Sequence, residues 1–368
     1  MRRHDYIIVG CGFFGSTLAE RLHSAGKSVL MIERREHIGG NCYSYEYKGT
    51  NIMVHKYGTH IFHTDNAMVW DYVNKFGGFN RYQHRVLTTH KNMVYAMPIN
   101  LGTINAFYGI NLRPSQVNKF ISSKRGDIKN PKNLEEKAIS LIGRDLYEAF
   151  IKGYTIKQWG CDPKELSPDI IERLPVRTSF YDSYYNDTYQ GLPKDGYTAI
   201  FKNMLKGIPI ELGVDFIEER DKWRGRCKNL IYTGPIDRYF DYRFGRLGWR
   251  SARFEIKKLG LPDYQGTSVM NYADTDVPYT RIHEPKHLHL EKVHTKNTTV
   301  IIKEYPHVND NEPYYPINSD SDKQLLRKYR ALAKKEPDVV FGGRLADYKY
   351  YDMHHVIELA LCKFLSFK

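Results

Sequence analysis

Apolar positions along the chain change period several times, and each change marks an element. A short apolar run from Asp5 to Val9, a helical spacing from Gly12 to Ala25, a turn at Gly26-Lys27 and a second run from Ser28 to Glu33 predict a β-α-β unit. From about Asn105 to Arg173 the spacing is helical, with helices expected over Pro114 to Ser122, Asn133 to Ile142 and Leu146 to Ile151, several opened by Pro or Asn. After Pro175 the pattern turns strand-like. Gly196 to Leu205 reads as a helix feeding a strand from Ile208 to Leu212, and Asn229 to Thr233 as a strand closed by Gly234-Pro235. Between Tyr242 and Tyr305 alternation predicts an antiparallel sheet that includes Thr267 to Tyr272 and Thr298 to Lys303. Asp338 to Phe341 is a last strand, Gly342-Gly343 a turn, and Met353 to Leu365 a helix. Neither an internal repeat nor a low-complexity tract interrupts this order.

Composition narrows the class. With 368 residues, 41% hydrophobic and 26% charged, the chain can bury a sizeable core, and no apolar run nears the ~20 residues needed to span a bilayer. The first apolar run is too short for a secretory signal, so a cytoplasmic protein without membrane insertion is expected. The five cysteines, Cys11, Cys42, Cys161, Cys227 and Cys362, are scattered without a CxxC pair, which argues against a disulfide framework and a thiolate zinc site. A formal charge of +13 asks for an anionic partner, but the basic residues are dispersed, which favours a phosphorylated small molecule over nucleic acid. The 29 tyrosines cluster, as in Tyr181 to Tyr189, Tyr314-Tyr315 and Tyr348 to Tyr351, which suits sites where a ring stacks and a hydroxyl reaches a polar ligand; half-buried packing is the alternative for any one of them.

The first β-α junction carries the most specific chemistry. Gly10-Cys11-Gly12-Phe13-Phe14-Gly15 is a GxGxxG turn after a strand and at a helix start, followed by Glu33 at the end of the next strand. The pattern predicts a dinucleotide whose pyrophosphate meets the helix N-terminus and whose ribose hydroxyls meet Glu33. A further glycine pair, Gly39-Gly40, follows Glu33-Arg34-Arg35-Glu36-His37-Ile38, and Tyr232-Thr233-Gly234 and Phe341-Gly342-Gly343 repeat the strand-then-glycine pattern. These favour FAD over NAD. The expected fold class is α/β: a Rossmann-type FAD-binding domain (1–80 with 190–240 and 335–368), an inserted helical domain (100–175) and an antiparallel-sheet substrate domain (80–100 with 176–190 and 241–330).

Several further segments resemble the UDP-galactopyranose mutase family. They are His55-Lys56-Tyr57-Gly58 with His60 to Thr64, Gly153-Tyr154-Thr155 with Lys157-Gln158-Trp159-Gly160, Arg173 to Arg177, Tyr189-Gln190-Gly191, Tyr232 to Asp237, Val277 to Arg281, Glu312 to Pro316, and Phe341 to Leu345 through Tyr350 to Met353. The resemblance spans nearly the whole chain in order. It implies an isomerase that interconverts UDP-galactopyranose and UDP-galactofuranose, with nitrogen-5 of reduced FAD attacking the anomeric carbon while UDP leaves and returns. It implies that Arg173 and Arg281 hold the diphosphate with the hydroxyls of Tyr184, Tyr315 and Tyr350, and that Phe150, Tyr154, Trp159 and Asn271 form the uridine side. Gly10, Gly12, Phe13, Phe14, Gly15, Glu33, Arg34, Gly40, Asn41, His60, Gly234, Arg344, Tyr350, Asp352 and Met353 are the implied cofactor contacts. A mutase of this family is commonly a dimer, and its product serves cell-surface polysaccharide synthesis.

His63 is expected to orient the sugar or tune flavin protonation, and Arg173, Arg281 and His63 are the candidates for catalysis. The trio His55, His60 and His63 lacks an acidic or thiolate neighbour in sequence, so no metal is expected. Two departures fall on the sugar side: Thr59, where relatives commonly have alanine, and His84, where an Asn is expected. They extend the expected substrates to UDP-N-acetylgalactosamine. The rival within enzymes is an amine-oxidase-like FAD oxidoreductase, whose pocket should prefer apolar or cationic groups; paired arginines among phenols suit an anion. A region of loop motion is expected around Trp159 to Ser167, where Gly160 and Pro163 interrupt the helical pattern.

Overall fold

A computed structural model describes residues 3–171, 176–308 and 312–367. The expected β-α-β unit forms His4–Val9, the helix Phe13–Ser24 and Val29–Glu33. These strands join a five-stranded parallel sheet in the order Val339–Phe341, Cys227–Tyr232, His4–Val9, Val29–Glu33, Ile210–Leu212. Helices cover it, so the inner strands read as continuous apolar runs: Ile7, Ile8, Met31, Ile32, Leu230 and Ile231 are fully buried. The helix Phe13–Ser24 buries Leu18, Ala19 and Leu22 against a core that also takes Ile357 and Ala360 of the C-terminal helix Met353–Leu365.

A second sheet of seven strands runs Tyr315–Pro316, Trp249–Leu259, Thr299–His307, Arg281–His283, Val269–Tyr272, Val86–His90, Met93–Met97. Its pairings are antiparallel except between Val269–Tyr272 and Val86–His90. Above one end lie the helices Leu101–Tyr108, Pro114–Lys124 and Leu134–Ile142, and a continuous helix over 144–159 whose Tyr147–Lys152 segment is π-helical. The Asn signals act as caps: the side chains of Asn100 and Asn133 accept the N–H groups of Thr103 and Glu136. The π segment adds a residue per turn and so changes which side chains of this helix face inward, a feature common at functional sites.

Two segments differ from expectation. No element is predicted over Asp320–Ala333, most of which lies in the segment assigned to the antiparallel-sheet domain, yet it forms a helix whose Leu325, Leu326, Tyr329, Leu332 and Ala333 recur at helical spacing and pack in one cluster with Trp249 and Tyr348. Its start signal was present as Ser319 and Asp322, which form a reciprocal capping box. Residues 176–188, read as strand-like, form no strand and make one isolated bridge, Ser183 with Arg85. Arg177 organises this segment locally instead, donating to the carbonyls of Tyr181 and Ser183 and to Asn186 Oδ1. The eleven-residue strand Trp249–Leu259 falls inside the range where strands are predicted.

Candidate functional site

A cavity of about 1010 Å³ runs from the GxGxxG turn, between the two sheets, to the helix carrying Tyr154 and Trp159. That volume lies at the upper end of the usual range for ligand sites, ~300–1,000 Å³. Every site residue expected from the sequence lines it except Arg173, which lies outside the described residues.

At the parallel-sheet end the geometry fits a dinucleotide. Gly10 adopts φ +103°, and a Cβ at Gly15 would stand 2.1 Å from the Gly10 carbonyl oxygen, so the helix packs this closely only through glycine. A Cβ at Gly12 would meet nothing within 4 Å, leaving open space before the helix N-terminus, where a pyrophosphate is accommodated. The buried Glu33 carboxylate accepts the N–H groups of Cys11 (2.8 Å) and Arg35 (3.0 Å), which ties the glycine turn to the second strand. Arg34 and Asn41 border the same end. On the far wall Asp352 occupies the N-cap position of the helix Met353–Leu365, and the Cys42 thiol donates to Met353 Sδ at 3.5 Å.

Two histidines of the segment after Tyr57 are held through Nδ1. His60 Nδ1 lies 2.7 Å from the Gly58 carbonyl, which can only accept, so the proton is on Nδ1 and Nε2 is an acceptor. Burial pushes this imidazole down to about 4. His63 Nδ1 donates to Asp187 Oδ2 at 3.0 Å, and its ring stacks on Tyr185 at 3.7 Å. His55 instead uses Nδ1 to accept the His60 N–H, so the three rings have three separate tasks.

At the other end the decisive group is Arg281. Its Nε and Nη2 donate to the Tyr154 hydroxyl at 2.9 and 2.5 Å, and Glu304 stands directly across the strand pair with Oε2 at 3.7 Å. Burial alone would raise the Glu304 carboxyl, but Arg281 and His283 hold it down at about 2. Burial works against the Arg281 charge, and Glu304 more than compensates, so the guanidinium stays protonated. Burial raises the Tyr154 phenol to about 12. Around Arg281 the rings of Tyr315 and Tyr350 stack at 5.9 Å, with the Arg344 guanidinium 4.9 Å from the Tyr350 centroid. Arg344 donates to the Tyr314 carbonyl, and its buried Nε has no protein partner. A fixed cation ringed by phenols is suited to an anionic ligand with several acceptor oxygens.

Between the ends lie His84, Thr59 and Tyr184. Burial and the nearby Arg281 push His84 down to about 3, so it is neutral; its Nδ1 meets the Tyr82 hydroxyl at 3.1 Å, which meets Ser268 Oγ at 2.5 Å. Thr59 Oγ1 is buried without a hydrogen-bond partner. Phe150, 3% exposed, is wedged among Tyr95, Phe107 and His90, so it supports the wall as well as lining it. Asn271 pairs in register with Arg281. After Trp159 the helix ends at Gly160, and Pro163–Glu165 forms a short 3₁₀ turn inside the segment where loop motion was expected.

Comparison with known proteins decides the family. The family model described as UDP-galactopyranose mutase matches residues 149–350, and one for an NAD(P)-binding Rossmann-like domain matches residues 8–76. The chain is 45% identical to a Klebsiella pneumoniae protein named "Probable UDP-galactopyranose mutase", over 98% of this chain and 94% of that one. The chain belongs to the UDP-galactopyranose mutase family. It is thus an isomerase, and the oxidoreductase rival shares only its fold. A second member of comparable likeness is the dTDP-fucopyranose mutase of Escherichia coli, 42% identical over 96% of both chains. The crystal structure of a reduced UDP-galactopyranose mutase superposes with a TM-score of 0.73, covering 99% of this chain and 96% of that one at 15% identity.

Sequence reasoning missed several residues of this mutase site. Glu304 and His283 line the cavity beside Arg281, while Asp187 and Tyr82 stand behind the cavity residues His63 and His84, and motif matching is blind to such supporting roles. One signal existed: Glu304 is a single carboxylate next to the apolar run Val300-Ile301-Ile302 of a strand, which calls for a buried cation.

Proposed function

We propose that this mutase interconverts UDP-galactopyranose and UDP-galactofuranose with FAD in its reduced form. The observation that carries the reading is the continuity of one cavity from the glycine-rich dinucleotide turn to a guanidinium kept charged by a buried carboxylate. Reduced FAD would supply a nucleophilic nitrogen-5 and release of it again, which explains a redox cofactor in a reaction with no net redox change. Glu33, Arg34, Asn41, Arg344, Asp352 and Met353, with the GxGxxG turn, are the residues proposed to hold it. Arg281 binds the diphosphate both as ester and as leaving group, assisted by Tyr184, Tyr315, Tyr350 and, from the neighbouring segment, Arg173. Trp159, Tyr154, Phe150 and Asn271 form the nucleoside side. His60 turns an unprotonated Nε2 away from its fixed Nδ1 partner, which suits it to accept a hydrogen bond from a sugar hydroxyl or the cofactor, and His63 is held in place by its Nδ1 bond to Asp187.

The sugar end supports a wider substrate range. Thr59 offers a buried hydroxyl without a partner, a ready contact for a 2-acetamido group, and the dTDP-fucopyranose relative adds a second sugar and base to test. Five cysteines without a disulfide agree with a reducing cytoplasm, and no helix among the described residues is long and apolar enough to cross a membrane. A homodimer is the proposed assembly, to be read from the mass in solution.

The test is conversion of UDP-galactofuranose, its 2-acetamido counterpart and dTDP-fucofuranose by protein with oxidised or chemically reduced FAD, resolved by chromatography. Conversion in the reduced samples alone is expected. Failure to convert any of them with reduced FAD bound would remove the diphosphate-sugar reading of Arg281.

A further inference from the structure

Lys157 lies on the helix Gly153–Trp159 but does not enter the cavity. Its Nζ donates to four main-chain carbonyls, those of Tyr272 (2.8 Å), Asp274 (2.7 Å), Val277 (3.1 Å) and Tyr279 (3.1 Å). Tyr272 ends the strand Val269–Tyr272, and the other three lie in its connection to the strand Arg281–His283. An ammonium has three protons, so at least one is shared, and the connection is wrapped around the cation as a backbone cage. No carboxylate takes part in these four bonds.

Three other contacts hold the same seam. A Cβ on Gly153 would lie 2.4 Å from the Ala273 carbonyl oxygen, so helix and connection touch backbone to backbone. Arg281 reaches across to the Tyr154 hydroxyl. From the other side the Asp274 carboxylate takes His90 Nδ1 at 2.7 Å and the Lys91 N–H at 3.0 Å, anchoring the connection to the sheet edge. The helix presents Tyr154 and Trp159 to the cavity, and the two strands present Asn271 and Arg281. The two faces of the proposed nucleotide site thus sit on different elements, joined by the cage, the Gly153–Ala273 contact and the Arg281–Tyr154 bonds.

We propose that Lys157 is a positioning residue for nucleotide binding, its ammonium fixing the 273–280 connection against the helix and so setting the distance between the Tyr154–Trp159 face and the Asn271–Arg281 face. The inference rests on the nucleotide-sugar function proposed above. A nucleoside diphosphate must meet both faces at once, and small displacements of such groups carry large costs in binding and rate. Thr275 and Asp276 of the connection are exposed, so its carbonyls turn to water when the ammonium is removed, and the fold survives while the spacing is lost.

The experiment compares Lys157→Met, which keeps the aliphatic stem, with the unsubstituted FAD-loaded protein. Calorimetric affinity for UDP and steady-state kinetics are measured in both. The expected result is unchanged FAD content and absorbance, UDP binding weakened by at least about ten-fold, and a KM rise of similar size with kcat reduced far less. Gly153→Ala, which pushes directly on the Ala273 carbonyl, is expected to give the same split by an independent route and carries the test where Lys157→Met is insoluble. UDP affinity within about two-fold of the unsubstituted protein in a folded, FAD-loaded variant overturns the inference. So does a loss of kcat with affinity intact. Absence of UDP binding by the unsubstituted protein would overturn the functional reading and this inference together, which separates the two failures.

Discussion

Replacing Glu304 by glutamine tests whether the Arg281 charge is held by its buried partner. The side chain is 2% exposed, accepts from His283 Nε2 at 3.0 Å, and stands 3.7 Å from Arg281 Nε. Its carboxyl is displaced from 4.5 to about 2, with burial opposing the displacement and Arg281 and His283 producing it. That displacement corresponds to about 3 kcal/mol of stability at neutral pH. The size agrees with the ~3–5 kcal/mol typical of breaking a buried ion pair from one side. Because the folded value is depressed, the contribution is fully present above the unfolded value near 4.5 and is lost as pH falls from there towards 2.

The assay is urea unfolding of the wild-type chain and Glu304→Gln at pH 7 and at pH 3.5, with flavin release and far-ultraviolet circular dichroism as separate probes because a chain of several lobes need not unfold in one step. A deficit of about 3 kcal/mol at pH 7 should shrink to about 2 kcal/mol at pH 3.5, since part of the carboxylate advantage is then titrated away. UDP should restore more stability to the variant than to the wild type, because a diphosphate supplies the anion that Arg281 has lost. A variant within about 0.5 kcal/mol of wild type at pH 7, or a deficit that grows on acidification, would refute the assignment of Glu304 as the counter-charge.

Three further outcomes are expected. Gly12→Ala should fold with an unchanged melting temperature without cofactor yet fail to retain FAD, since its Cβ enters empty space, whereas Gly15→Ala, colliding at 2.1 Å, should lose ~2 kcal/mol or more even without cofactor; equal behaviour of the two in differential scanning fluorimetry would contradict the cradle. Asp187→Asn should lower turnover about ten-fold and alter its pH profile, because the amide no longer enforces the Nδ1–H form of His63, while UDP affinity holds; an unaltered profile would detach Asp187 from catalysis. Arg281→Lys should weaken UDP binding by ~2 kcal/mol, as a point charge cannot serve both the Tyr154 hydroxyl and a phosphate with planar donors, and calorimetry reads the loss directly.

The parts of this molecule legible in its sequence are those whose chemistry is local. The β-α-β unit is written in nearest neighbours: an apolar strand, glycines at a fixed spacing, and an acid at the end of the next strand, where Glu33 indeed closes on the Cys11 amide. The helix starts at Asn100 and Asn133 are equally local, because a cap is a bond between residues three apart. The helix Asp320–Ala333 carries the same kind of local signal, a capped start and apolar residues at helical spacing from Leu325 to Ala333, so it too is legible in the sequence although no element is predicted there.

The support of the site was illegible for the opposite reason. Glu304, Asp187 and Lys157 earn their roles through partners 23, 124 and 115 or more residues away, and no spacing rule reaches that far. The arginine and histidine proposed to face a ligand lie in the strings that carry the family resemblance, Val277 to Arg281 and His60 to Thr64. The groups behind them need only supply a charge, a carbonyl cage or a tautomer from whichever strand lies adjacent. Glu304 follows from this logic once Arg281 is granted: a guanidinium that must remain ionised away from water requires a carboxylate close by, and the antiparallel register of Arg281–His283 with Thr299–His307 places one position directly opposite it. The side chain there had to be acidic, which makes the register of two strands, more than any motif, the determinant of where this site can bind an anion.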